Sequence, residues 1–324
     1  MMNVYSADSS NTVKPLLGSV RLGRHWRGKV LLRFSDPAGL LPRAWSEVSI
    51  ADWEKAVADP SELFSLSRGA QLLKDGPSSL VVRRQLELGQ SQPEVFCKLS
   101  RRRNLLRKAI GLFRRTRPSR NWQVSWDLLA RGIPTALPVA VLEKRVVGLC
   151  LAAIIITDSL LPGKTLERFV REDAPSLPVS LYRRLTTELA ELIRRLHEHD
   201  FFHRDLKGVN IFVHFGPSSG PRFYLLDLDG CQPDGQGYLK KVKSLGRLAR
   251  VSLDWPVVRR TDRLRFLKAY LQTPSKGHRA GPANSSPDWK TWWRDIDRQV
   301  RLKFPRGVLS DRNNRRTFPE NSAY

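Results

Sequence analysis

Four polar residues between positions 205 and 227 stand at intervals that could do chemistry. Asp205 follows His203 and Arg204, Lys207 comes two places later, and Asn210 comes five places after Asp205. Two apolar runs follow, Ile211-Phe212-Val213 and Phe223-Tyr224-Leu225-Leu226, separated by a turn rich in Gly, Pro and Ser, and the second run delivers Asp227. This set suits phosphoryl transfer to a hydroxyl. That reaction needs a carboxylate to receive the hydroxyl proton and oxygen ligands for magnesium ions that bridge the phosphates. Asp205 is the candidate proton acceptor, and Lys207 is placed to neutralise the transferred phosphoryl group. Asn210 and Asp227 are the candidate metal ligands, because a hairpin brings Asp227 back beside Asn210. The bland alternative is a chance His-Arg-Asp string on a loop and an ordinary turn aspartate. Three spaced polar positions, a hairpin and a second acid after an apolar strand all agree against it.

The string His203-Arg204-Asp205-Leu206 with Asn210 has the full spacing of a protein-kinase catalytic loop. A loop of that kind needs a partner half that holds the nucleotide. Upstream, residues 71–75, 80–88 and 95–99 read as strands, joined by Gly76-Pro77-Ser78-Ser79 and by a turn over 89–93. Strand, small-residue loop, strand, turn and a strand ending in Lys98 is the order of a nucleotide-binding lobe. Lys98 would pair with the first two phosphates, and the loop of Gly76, Ser78 and Ser79 would close over them with backbone N–H groups. The loop lacks the G-x-G-x-x-G spacing, and the alternative for Lys98 is a surface lysine on an edge strand. In kinases the next helix supplies a glutamate that pairs with this lysine. No glutamate occurs between Leu99 and Leu142, and Asp127 is the one acid there.

The remaining elements form a two-lobed α+β architecture, with a small β-rich lobe and a larger helical one. Ser49 caps a short helix. A helix over 120–130 carries Trp122 and Trp126. Strands over 137–142 and 147–156 are joined by a turn at Glu143-Lys144-Arg145, and Thr157-Asp158 falls where the lobes would hinge. Ser180 is expected to cap a long helix whose buried stripe is Leu181, Leu185, Leu189, Leu192 and Leu196. His197 and His199 near its end would favour the helix dipole. Further helices are expected over 239–253, 261–271 and 289–304. The expected boundaries are an extension over 1–60, partly disordered, a nucleotide-binding lobe over 61–158, a catalytic lobe over 159–304 and a flexible tail over 305–324.

Composition narrows the setting. The three cysteines, Cys97, Cys150 and Cys231, form no metal-ligand or disulfide pattern, which suits a reducing compartment. The amino terminus has no secretory pattern, and the longest apolar run, over 146–156, is too short to span a bilayer. A cytoplasmic protein is the expectation, with a peripheral place on the inner face of the membrane as its variant. A formal charge of +25 favours anionic partners without choosing among them. Residues 99–117 form a basic amphipathic pattern with Arg102, Arg103, Arg107 and Lys108 on its flanks. It can lie on an anionic membrane, or its arginines can simply be solvated while Leu105, Ile110 and Phe113 pack inward.

Over roughly residues 72–250 the chain resembles the lipopolysaccharide kinase (Kdo/WaaP, InaA-like) family. The resemblance rests on LLKDGPSSLVVRR, VFCK, NWQVSWDLLARGIPTALPVAVLEKR, HRDLKGVNIFV and LLDLDG, where D-L-D-G replaces D-F-G. It implies a kinase that uses ATP and magnesium on a sugar hydroxyl of the lipopolysaccharide inner core. By matched position it makes Asp205 the catalytic aspartate, Asn210 and Asp227 the metal ligands and Lys98 the nucleotide lysine. The missing helix glutamate leaves the partner of Lys98 open. The expected acceptor is an anionic glycolipid or phosphorylated saccharide. A protein kinase, a small-molecule phosphotransferase and an inactive kinase-like binding module stay open as rivals. A nucleic-acid partner is disfavoured because no recognisable motif accompanies the charge. The oligomeric state is not legible.

Overall fold

The computed structural model describes residues 14–36, 39–42, 44–101, 115–216, 220–233, 237–272 and 288–302. Of the expected basic helix over 99–117, residues 102–114 lie outside them, while Leu99 and Ser100 end a strand and Arg117 begins the next helix; Pro217-Ser218-Ser219, the loop over 273–287, the residues before 14 and the tail lie outside them as well. The described residues fall into two units, one ending at Leu161 and one beginning at Pro162. The strand-rich first unit and helix-rich second unit make a mixed α+β fold.

The first unit contains β1 (Lys14–Leu22), β2 (Trp26–Ser35), α1 (Ile50–Ala56), β3 (Gln71–Asp75), β4 (Ser79–Gln85), β5 (Glu94–Ser100), α2 (Arg117–Leu129), β6 (Pro138–Val146) and β7 (Leu149–Asp158). Its seven strands form one antiparallel sheet in the order β1-β2-β6-β7-β5-β4-β3. Residues 14–56, read from sequence as part of an extension, therefore add two strands and a helix to the same sheet. Ser49 caps α1 as expected, with Asp52 returning the bond to complete a capping box. Trp53 of α1 is fully buried and donates from Nε1 to the Leu31 carbonyl at 2.8 Å, so the added hairpin and helix share the core.

The hairpin turn between β6 and β7 lies at Val147 (φ 48°) and Gly148 (φ 77°), not at Glu143-Lys144-Arg145. Two successive positive φ values give the turn whose twist matches a hairpin, and a charged stretch alone does not break a strand. Glu143 instead sits within β6 and anchors α2. It accepts from Thr116 Oγ1 and Ser119 Oγ, each at 2.5 Å, and pairs with Arg145 at 2.8 Å. Burial pushes its carboxyl pKa up, but bonds from Ser119, Thr116 and Arg145 outweigh this and hold it below the usual range.

The second unit contains β8 (Gly163–Thr165), α3 (Leu166–Glu172), α4 (Val179–Glu198), β9 (Phe201–His203), β10 (Ile211–Gly216), β11 (Gly220–Leu225), β12 (Cys231–Pro233), α5 (Tyr238–Ser252), α6 (Arg260–Leu271) and α7 (Trp289–Leu302). Helix α4 packs along α6, and α5 along α7. In α4, Leu185, Leu192 and Leu196 are buried as the periodicity predicts, and Leu181 and Leu189 are half-buried. Its cap is Pro178, not Ser180, because the proline ring fixes φ at −54° and the chain turns into the helix directly after it.

His197 near the end of α4 is buried, and its Nδ1 lies 2.8 Å from the Tyr270 hydroxyl. Burial, aided by Lys241 and His203, lowers its pKa to about 3, so it is neutral and does not offset the helix dipole as a cation would. His203 is buried as well and its pKa is also lowered, chiefly by desolvation. The pH dependence of stability follows. Below the ordinary histidine value of 6.5 the unfolded chain binds protons that these two folded imidazoles refuse. Stability is therefore full above that value and falls as pH drops toward 3. Each group contributes a slope of at most about 1.4 kcal/mol per pH unit. The urea midpoint should be lower at pH 5 than at pH 7, and His197→Gln should flatten the slope. A midpoint unchanged between those two pH values contradicts the assignment.

Candidate active site

The polar quartet is held by two small sheets and two tight turns of the second unit. β9 pairs with β12, which sets Cys231 opposite His203, and Arg204 N–H donates to the Gly230 carbonyl at 2.8 Å. The chain after Asp227 is thereby tied to the chain before Asp205. Next, β10 pairs with β11 over Ile211↔Leu225, and Leu226 N–H donates to the Asn210 carbonyl at 2.9 Å. That bond puts the residue before Asp227 against Asn210, as the hairpin expectation requires.

The loop is shaped around buried His203. Its Nδ1 accepts from the Asp205 N–H at 3.2 Å, so Nε2 carries the proton and donates to the Leu226 carbonyl at 3.2 Å. One neutral imidazole thus fixes both the Asp205 backbone and the residue ahead of Asp227. From α5, Ser244 Oγ reaches the His203 carbonyl at 3.4 Å. Leu206 is fully buried beneath the loop.

Asn210 is buried, and its Nδ2 donates to the Asp205 carbonyl at 2.7 Å and to Asp205 Oδ2 at 3.3 Å. Lys207 Nζ lies 2.9 Å from the same Oδ2. Asp205 Oδ1 accepts no hydrogen bond among the described residues, and Arg247 NH1 of α5 lies 4.0 Å from it. One carboxylate oxygen is thus held in place and the other is open to an incoming hydroxyl. The side chains of Asp205 and Lys207 are 50% and 40% exposed, so their pair is a solvated one that orients more than it stabilises.

Asp227 is exposed and adopts the left-handed region, with φ 49° and ψ 57°. Aspartate is among the few residues that visit this region at modest cost, and the strain turns the chain directly into the 3-10 turn Leu228–Gly230. Asn210 commits its Nδ2 to Asp205, which leaves Oδ1 as its acceptor, and the Leu226 bond brings the Asp227 backbone next to that of Asn210. Amide and carboxylate oxygens are the hard ligands that magnesium takes.

Gly208 carries a demand that sequence alone hides. A Cβ there would lie 2.6 Å from Trp255 Cζ2 and 3.1 Å from Glu167 Cβ, and Trp255 is itself buried. Gly208→Ala should therefore displace the turn that carries Asp205 and Asn210. The expected result is a stability loss of about 1–3 kcal/mol, as for overpacking, together with a loss of activity larger than the thermal shift explains. Wild-type stability and turnover in Gly208→Ala would show that the turn tolerates the methyl.

The first unit's candidates are described by themselves. Lys98 lies on β5, flanked by Val81 of β4 and Ile155 of β7, so its strand is interior to the sheet and not an edge. Val95 and Cys97 alternate with it and face the apolar core, and the three cysteines are free and buried. Burial raises the Cys97 and Cys231 thiols to about 12, so neither is a nucleophile. The Gly76 loop is tighter than expected. Gly76 N–H donates to the Ser79 carbonyl at 3.0 Å, and the Ser78 carbonyl accepts from Arg101 N–H at 2.9 Å. Ser79 begins β4 and is buried, while Ser78 is exposed. The Gly76 N–H is therefore spent within the turn. Asp127 of α2 accepts from Gln123 at 3.2 Å and lies 4.0 Å from Arg131, so these partners are on its own helix and the turn directly after it. Among the described residues no helix is long and apolar enough to cross a membrane.

Comparison with known proteins adds three findings. The profile of the lipopolysaccharide kinase (Kdo/WaaP) family matches residues 98–270. A 3-deoxy-D-manno-octulosonic acid kinase from Haemophilus influenzae strain PittEE is 29% identical over 136 residues, which are 42% of this chain and 53% of that protein. Its counterpart in a second strain is 28% identical over the same length. The chain spans about half the length of the curated relatives it matches. Among solved structures, WaaP in complex with acyl carrier protein superposes with a TM-score of 0.54 at 21% identity, covering 76% of this chain and 93% of that one. This last likeness is one of fold.

Proposed function

The chain belongs to the lipopolysaccharide kinase (Kdo/WaaP) family, and from that premise we propose that it moves the terminal phosphoryl group of ATP to a hydroxyl of an acidic sugar in an anionic core glycolipid. The observation that carries the reading is the unequal treatment of the two Asp205 oxygens. Oδ2 is held by Asn210 and Lys207, and Oδ1 is left for the acceptor. A carboxylate fixed by one oxygen keeps the other aimed while the acceptor arrives.

In the proposed reaction the acceptor hydroxyl donates to Asp205 Oδ1. Its O–H bond breaks as its oxygen bonds to the terminal phosphorus, the proton passes to Asp205, and the bond from that phosphorus to the bridging oxygen breaks to release ADP. Lys207 lies beside Asp205 and neutralises charge on the phosphoryl oxygens in flight. Asn210 Oδ1 and the Asp227 carboxylate would hold magnesium, which supplies charge neutralisation across the phosphates when bound. Lys98 is assigned to the nucleotide's phosphates, with Ser78 as the exposed residue of the Gly76 loop. The missing helix glutamate means that Lys98 is oriented by some other group than in protein kinases.

The acceptor class is supported by how little chain follows Asp227. The short strand Cys231–Pro233 comes first, and α5 begins at Tyr238. Protein kinases place a long segment there, ending in A-P-E, on which the peptide substrate docks. No A-P-E occurs after Asp227. The test is to incubate the purified protein with labelled ATP and a total membrane extract, then separate lipid-linked saccharide from protein. Label in the saccharide-bearing lipid fraction is the expected result, and label confined to protein would overturn the reading.

A further inference from the structure

We propose that Arg247 binds an anionic substituent of the acceptor sugar, next to the hydroxyl that is phosphorylated, and so makes an acidic sugar the preferred substrate. The inference rests on the reading above and deepens it. Four observations converge on this arginine.

The first is position. Arg247 NH1 lies 4.0 Å from Asp205 Oδ1, on the side of the carboxylate that Lys207 and Asn210 leave open. A hydroxyl that donates to Oδ1 must therefore come in beside the guanidinium, and a substituent one or two bonds away falls within its reach. The second is spare capacity. At 4.0 Å the pair is longer than a hydrogen bond, and no hydrogen bond from the Arg247 guanidinium is formed among the described residues. A guanidinium carries five N–H donors in a planar fork that matches a carboxylate or phosphate bidentately.

The third observation is that Arg247 is held. Ser244, three residues earlier on the same helix, bonds to the His203 carbonyl, and α5 packs against β9 and the Gly208–Asn210 turn. The arginine is thus fixed to the very loop that carries Asp205. The fourth is that nothing on its own helix competes. Residues 238–252 contain no acid, and Lys240, Lys243 and Arg250 fall with Arg247 at spacings of three, four and three. Those spacings put the four cations along one stripe. The side chain is 36% exposed, so an acceptor can reach it.

The test uses three acceptors made from one core glycolipid that carries an octulosonic acid: the native form, the form with the sugar carboxyl methyl-esterified, and the dephosphorylated form. KM for each is measured with wild type, Arg247→Gln and Arg247→Lys. If Arg247 binds the carboxylate, esterification raises the wild-type KM by about ten- to a hundredfold, the scale of one charged hydrogen-bonded contact. Esterification then changes the Arg247→Gln value little, because the contact is already lost. Arg247→Lys falls between, keeping the charge without the fork. The same pattern on dephosphorylation sustains the proposal with a phosphate as the anion. Losses that add independently in variant and modified acceptor overturn the role of Arg247 while leaving the kinase reading intact, as does wild type using all three acceptors equally. Failure of wild type to phosphorylate any of the three overturns both. The modified acceptors probe the unaltered protein, and Arg247→Lys, which keeps the charge, supplies the variant comparison where Arg247→Gln does not fold.

Discussion

Asp205→Asn should lose phosphoryl transfer by about a hundred- to ten-thousandfold, the usual contribution of a positioned general base, while nucleotide affinity stays near the wild-type value. Asparagine keeps the size of the side chain and an oxygen that can still accept from Asn210 Nδ2. What it removes is the basicity of Oδ1 and the charge facing Lys207 and Arg247. Those two ion pairs are solvent-exposed and worth about 1 kcal/mol or less each, so the fold should survive. Single-turnover transfer to the glycolipid, with nucleotide affinity from calorimetry, separates the two effects. Near-normal turnover in Asp205→Asn would remove Asp205 as the proton acceptor.

Asp227→Asn should produce a different defect of similar size. Metal and nucleotide bind together, so loss of one ligand charge should weaken both nucleotide affinity and turnover. The turnover loss should reach at least about a hundredfold, since a bound metal supplies several kcal/mol of charge stabilisation. The substitution is a clean one because Asp227 sits at φ 49°, and asparagine adopts that backbone as readily as aspartate. The backbone bond from Leu226 to Asn210 is untouched, so the change isolates the carboxylate charge. A magnesium titration makes the check. The half-saturating concentration should rise in Asp227→Asn and stay near wild type in Asp205→Asn. An unchanged magnesium response would move the metal site elsewhere.

The parts of this protein that sequence makes legible are those where local spacing and chemistry coincide. The interval from Asp205 to Asn210 and the apolar strands before Asp227 describe a loop and hairpin that the structure builds with the Ile211↔Leu225 register. Lys98 is legible as a strand lysine, although its place at the interior of a seven-stranded sheet is not. The hairpin of β1 and β2 escapes notice because its alternation is broken. Val30 and Leu31 are successive buried residues, and a register shift between Leu16 and Leu17 on the partner strand accommodates them. The turn at Val147 and Gly148 is missed because valine at positive φ is a strained choice that propensity does not anticipate. The steric demand at Gly208 and the approach of Arg247 to Asp205 depend on contacts between residues about forty apart in the chain. Spacing carries no trace of such contacts, and only packing reveals them.

Those long-range contacts also decide how the site works. His203 is the clearest case. Read from sequence it is the first letter of a motif, and in the structure it is a neutral, buried strut between the Asp205 amide and the Leu226 carbonyl. Its role is to hold two segments together, which explains why an ionisable residue sits fully buried directly before the exposed Arg204 and the half-exposed Asp205.

The most direct test of the central claim is the product itself. Purified core glycolipid is incubated with the protein, ATP and magnesium, and the saccharide released by mild acid is analysed by mass spectrometry. The account predicts a gain of one phosphoryl group, located on the acidic sugar, that is absent with Asp205→Asn. Consumption of ATP with an unmodified saccharide, or phosphate found only on protein, would contradict it.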